Sequence, residues 1–84
     1  MVDEIECSID DEGTKCWRRI SDDEIHRLDG PAIIDGSGLS FWCINDHDVT
    51  DKIKKWAKEN DIDLDNLTEV DKALIKLVWA DYGR

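Results

Sequence analysis

Three cysteines, two histidines and twenty-one carboxylates are the side chains with chemistry to offer in this 84-residue chain. Cys43 and His47 stand four positions apart, and a thiol beside an imidazole is the raw material of a nucleophile. A strand over 39–44 that turns at 45–48 brings the two side chains near each other, yet no neighbouring residue is placed to orient the imidazole. Adding His26 to the pair suggests zinc, which needs closely spaced ligands. No two of Cys7, Cys16 and Cys43 have the C-x₂₋₄-C spacing of a zinc knuckle. The thiols are therefore expected to act as small hydrophobes, reduced because their number is odd and no secretion signal precedes them. The run Asp61-Ile62-Asp63-Leu64-Asp65-Asn66 sets carboxylates at alternate positions, as a calcium loop does. Its twelfth position is Lys72, a cation where a bidentate carboxylate is required. Ile62 and Leu64 are instead expected to anchor an interhelical loop. No G-x-S-x-G elbow, phosphate-binding glycine loop or H-E-x-x-H occurs. Neither a catalytic residue nor a metal or cofactor is assigned, and the chain reads as a non-enzyme.

Charge is more informative. Twenty-one acids against eleven bases give −10, and the excess is uneven. Residues 1–50 hold thirteen acids and four bases, residues 51–84 eight and seven. Nucleic acids and anionic membranes attract cations, so direct binding to either is not expected. An acidic surface suits solubility or a protein partner with a basic face, reached by electrostatic steering. The candidate contact residues on this reading are the acidic turns Asp10-Asp11-Glu12 and Asp22-Asp23-Glu24. The alternative is a DNA mimic occupying the nucleic-acid site of a nuclease, polymerase or repressor. Against it, Lys52, Lys54, Lys55, Lys58, Lys72 and Lys76 interrupt the acidic pattern.

The most specific text is His26-Arg27-Leu28-Asp29-Gly30-Pro31-Ala32-Ile33, then Gly38, then Phe41-Trp42-Cys43-Ile44-Asn45. It reads as a structured corner leading into a hairpin. Asp29 is expected to bond forward onto backbone amides, Gly30 to take an unusual dihedral, and Pro31 to hold Gly30 extended. Arg27 is expected to pair with Asp29 or stack on Trp42. This wording resembles the H-R-x-D-G-P-A … G … W-x-x-N-G unit of small proteins of large tailed bacteriophages and of MORN-like repeat proteins, some of them antitoxin-like. The resemblance covers about residues 26–49 and occurs once. It departs at Asn45-Asp46-His47, where that unit has Asn-Gly-Lys. What it implies is a β-hairpin, and a phage accessory protein made inside a bacterium. The host cytoplasm is the expected compartment, consistent with Met1-Val2-Asp3-Glu4, which has no basic or apolar leader.

The elements that must position these residues follow from pattern. Met1 to Ser8, with Val2, Ile5 and Cys7 apolar, predicts an edge strand. Asp10 to Gly13 predicts a turn, and Thr14 to Ile20 a strand pairing back on the first. Ala32 to Ile34 and Leu39 to Ile44 flank Gly36-Ser37-Gly38 as a second hairpin, with Trp42 in the core. Asn45 to Asp48 then turns the chain. Thr50 is expected to cap a helix over 51–60, with Ile53, Trp56 and Ala57 on one face. Thr68 to Asp71 predicts a capping box opening a helix over 69–82, with Gly83 at its end. The predicted fold is α+β in one domain: a small antiparallel β-meander of about four strands over 1–49, then two helices over 50–84. The last helix carries two apolar faces. Val70, Ala73, Leu74, Leu77 and Val78 are expected to meet the sheet. Ile75, Trp79 and Tyr82 form a second stripe that either packs on Ile53 and Trp56 or stays exposed to contact a partner or a second copy of the chain.

Overall fold

The computed structural model describes residues 4–83, so Val2, expected in the first strand, lies outside the described residues. Strand β1 (Ile5–Ile9) pairs antiparallel with β2 (Lys15–Arg19), Ile5 opposite Arg19 and Ile9 opposite Lys15. The turn between them forms because Asp10 Oδ1 accepts from the amides of Glu12 (2.9 Å) and Thr14 (3.0 Å), with Gly13 at φ +81°. Strands β3 (Ile33–Ile34) and β4 (Ser40–Phe41) extend the meander, giving a sheet of order β1-β2-β3-β4 with every pair antiparallel. Asp35 organises the second tip by accepting from the Ser37 amide at 2.7 Å.

The run expected as one strand over 39–44 breaks at Trp42. Strand β5 (Cys43–Ile44) leaves the sheet and pairs with β6 (His47–Asp48) in a separate two-stranded ribbon. The turn expected over 45–48 is therefore only Asn45-Asp46. Both residues have positive φ, +50° and +68°, as a two-residue type I′ hairpin requires. Asparagine and aspartate tolerate that region because their short polar side chains bond locally.

Helix α1 (Thr50–Glu59) starts one residue earlier than expected, and Thr50 is its first residue rather than its cap. The threonine hydroxyl faces back, accepting from Trp42 N–H at 3.0 Å, while Asp48 accepts from the Thr50 amide at 2.9 Å. Helix α2 (Glu69–Trp79) opens with the predicted capping box: Thr68 Oγ1 accepts from the Asp71 amide and the Asp71 carboxylate from the Thr68 amide, both at 3.1 Å. It ends at Trp79, short of 82. Residues 80–82 form a turn, closed by Tyr82 N–H donating to the Trp79 carbonyl. The fold is α+β, a four-stranded antiparallel sheet followed by two C-terminal helices. Its Cα radius of gyration is 12.5 Å, close to the ~12 Å of a compact chain this long.

The core does not lie under the four-stranded sheet. Trp42, Ile44, Val49, Ile53, Ile75 and Trp79 form it, between the β5–β6 ribbon and the two helices, with Leu28, Trp56, Leu64, Leu67 and Tyr82 packed around them. The expectation that Val70, Leu74, Leu77 and Val78 meet the sheet is overturned: they are 70%, 39%, 81% and 52% exposed. Strands β3 and β4 are two residues each and offer little apolar surface to receive a helix. The stripe with an indole and a phenol instead has the larger payload for burial, about 150–250 Å² per ring, and it is the one turned inward.

Candidate interaction surface

The corner read from the sequence is an architectural joint. His26 is buried, and its Nδ1 accepts from the Asn45 amide at 2.9 Å, while its own amide donates to the Trp17 carbonyl. Asn45 is the hub. Its Oδ1 accepts from Arg19, and its Nδ2 donates to the carbonyls of Ala80 (2.9 Å) and Tyr82 (2.8 Å). One amide thus ties the sheet, the ribbon and the chain end together. Arg19, 2% exposed, also pairs with Asp22 at 2.8 Å and Glu24 at 3.2 Å. Nothing in the local pattern of residues 15–19 marks Arg19 as buried; the Asn45-Asp46 dipeptide was the only signal for the hub, as a turn pair.

Two expectations about the corner change. Arg27 bonds Asp29 at 2.9 Å as expected, but its guanidinium lies 4.1 Å from the Trp17 ring centroid, so Trp17 and not Trp42 is the stacking partner. Strand β2 brings that ring alongside because the 25–27 segment runs between β2 and β5, with Arg27 N–H donating to the Cys43 carbonyl. Asp29 accordingly receives a guanidinium where backbone amides were expected. Gly30 is needed for space and not for a positive φ: a Cβ there falls 2.7 Å from Arg27 Cζ. Pro31 caps the arrangement through its carbonyl, which accepts from Arg27 at 3.0 Å. Trp42 is a core residue, 2% exposed, as expected.

Ile75 and Trp79, offered as contact residues, are core at 0% and 8% exposure. Trp79 meets Trp56 edge-on at 6.0 Å and Tyr82 at 5.4 Å. Tyr82 is half-buried, hemmed by His47 at 5.8 Å and by the Lys52 ammonium over its ring. A side chain inside the core offers nothing to a partner, so of the two alternatives for the stripe the packed one holds for Ile75 and Trp79, with Tyr82 half-buried at its edge. The surface it leaves behind is the opposite face of α2, which sequence reasoning had assigned to the sheet.

The chemistry-bearing pair separates. In the β5–β6 register Cys43 faces Asp48 and Ile44 faces His47, so thiol and imidazole project from opposite faces of the ribbon. Burial, reinforced by the negative charge of Asp48 and the neighbouring Cys16 and Asp46, pushes the Cys43 thiol up to about 11. At neutral pH it is a protonated thiol, not a nucleophile. Among the described residues no three His, Cys, Asp or Glu side chains are placed to hold a metal ion. A cavity of about 310 Å³ lies between Phe41, Asp48, Thr50, Asp51 and Lys52. Its Asp48 and Thr50 are bound to each other in starting α1, and their hydrogen bonds hold the Asp48 carboxyl below its ordinary 3.8.

The acidic turns have two different settings. Asp22 and Glu24 are committed to Arg19; against the desolvation that would raise it, the Asp22 carboxyl is lowered from its ordinary 3.8 by hydrogen bonds from Arg19 and the Glu24 amide and by the Arg19 charge. Only Asp23, at φ +59°, stands clear of that pairing as an exposed carboxylate on the turn. The other turn belongs to a composite end of the sheet. The β1–β2 and β3–β4 tips touch, Gly36 lying so close to the Glu12 carbonyl that a Cβ has no room. Asp10, Asp11, Glu12 and Asp35 therefore gather at one end of the meander. Asp35 is held below its ordinary 3.8 by the Ser37 amide and hydroxyl, so it is charged at neutral pH. Among the described residues no helix is long and apolar enough to cross a membrane. The chain matches no family model, no curated protein and no solved structure, and its surfaces speak for themselves.

Proposed function

We propose that this protein is a non-enzymatic interaction module, a phage accessory protein that binds a basic-faced host protein in the bacterial cytoplasm and alters its activity. The observation that supports the reading best is the acidic end of the meander, where two separate turns bring Asp10, Asp11, Glu12 and Asp35 together. A cluster of one sign raises the on-rate for a partner of the other sign and fixes its orientation. The phage assignment rests on the resemblance of residues 26–49.

The test is capture from a bacterial lysate on immobilised full-length protein, followed by mass spectrometry. A basic protein should be recovered stoichiometrically and lost with the Asp11→Asn/Glu12→Gln/Asp35→Asn variant, because rim charges act mainly through association. Recovery unchanged by that variant sinks the reading. Were the captured protein a nuclease, polymerase or repressor displaced by competing DNA, the DNA-mimic reading would replace it.

A further inference from the structure

We infer that the outward face of α2 is a self-complementary interface through which two copies of this chain pair, helix against antiparallel helix. Val70, Ala73, Leu74, Leu77 and Val78 span an arc of about 140° on the side opposite Ile75 and Trp79. Leu77 at 81% exposure and Val70 at 70% sit at the centre of that arc. Apolar side chains recurring at i, i+3, i+4 and i+7 make a seam for another helix. The face is an orphan of the fold, because the second apolar stripe of the same helix took the core.

Two observations select a second copy as the occupant. The first is the flank. Glu69 and Lys76 are seven residues apart on one edge of the seam, both exposed. About a twofold axis, an antiparallel partner sets each Glu69 beside Lys76 of the other copy, two opposite-charge pairs from one patch. In that register Val70 lies against Leu77 of the second copy and Ala73 against its Leu74, large beside small in the middle layers. Among the described residues Glu69 makes a 3.5 Å surface contact with Lys72, which rearranges at little cost. The second is the net charge. Of the net −10, residues 1–50 hold −9, while residues 51–84 carry eight acids and seven bases, so repulsion between copies is least when they meet through α2. Polarity bears on the orientation alone: antiparallel helices oppose their dipoles, which parallel ones do not. Eleven residues of helix give a smaller contact than the ~800 Å² per partner of a standard interface, so the dimer is weak, with a dissociation constant on the order of 100 µM.

Sedimentation equilibrium of the full chain from about 5 µM to about 1 mM reads the association directly. A monomer–dimer equilibrium is expected. Leu77→Asp should weaken it about a hundredfold or abolish it, since it sets an unpaired charge in the seam. At 81% exposure Leu77 supports no core packing, and an unchanged circular dichroism spectrum checks that the variant stays folded. Glu69→Lys and Lys76→Glu alone should each weaken association about tenfold, and the double swap should restore it, because only an antiparallel pair re-forms both contacts. Monomer throughout the range overturns the proposal. So does a dimer indifferent to Leu77→Asp, or a double swap no better than the single ones.

Discussion

Asn45 joins three parts of the chain through one side chain and holds a left-handed backbone at the same time. Its amide bonds Arg19 of β2 and the carbonyls of Ala80 and Tyr82, and its φ is +50°. Truncation leaves a buried guanidinium short of an acceptor and frees the chain end, so Asn45→Ala should cost about 2–4 kcal/mol in urea unfolding. Asn45→Gly relieves the left-handed strain, about 1 kcal/mol, and should recover that much and no more. A glycine variant as stable as the parent means that the hydrogen bonds contribute nothing. Cys43 gives a second test at this scale. Its thiol is raised from an ordinary 9.0 to about 11 in the folded chain, so the folded state holds the proton more tightly. Its contribution to stability is complete below pH 9 and is lost as pH rises through about 11. At pH 8 a thiol reagent should label exposed Cys7 and leave Cys43 unmodified until denaturant is added. Fast labelling of all three thiols in the native protein contradicts this environment.

Among the elements, the ribbon and helices carry the fold, and the four-stranded sheet is attached to them through Trp42 and the corner. Trp42 follows β4 and precedes β5, is 2% exposed, and its amide donates to the hydroxyl at the start of α1. Trp42→Ala should cost about 3–5 kcal/mol, comparable to the whole stability of so small a domain. Thermal unfolding monitored by circular dichroism measures it, and an unshifted midpoint contradicts the assignment. The start of α2 is less consequential. Thr68→Ala removes one reciprocal bond of an exposed capping box and should cost only ~1 kcal/mol. The contrast of the two variants is the sharper statement, because it ranks burial above local capping as the source of helix stability here.

For the whole molecule, charge is the dominant feature. A net −10 on 84 residues makes the compact state repel itself, and salt screens that repulsion. Raising sodium chloride from about 20 to about 500 mM shortens the Debye length to a few ångströms, and the melting temperature should rise by several degrees. A fall instead would mean that the Arg19–Asp22–Glu24 and Arg27–Asp29 pairs outweigh the general repulsion. Much of this organisation was legible in advance. The hairpin turns at Asp10–Gly13 and Gly36–Gly38, the capping box at Thr68–Asp71 and the α+β order follow from residues within four positions of each other, acting on backbone they can reach directly. Such local bonds form whatever the rest of the chain does. Which face of α2 is buried has no local answer. Both stripes are apolar and regularly spaced, and the choice depends on a hydrophobic pocket assembled from Trp42, Ile44, Val49 and Ile53, residues sixteen or more positions away. The burial of Arg19 and its bond to Asn45, twenty-six residues distant, is decided in the same way. Backbone turns were thus determined by the sequence near them, and the division of apolar surface between core and solvent was decided only when the elements packed.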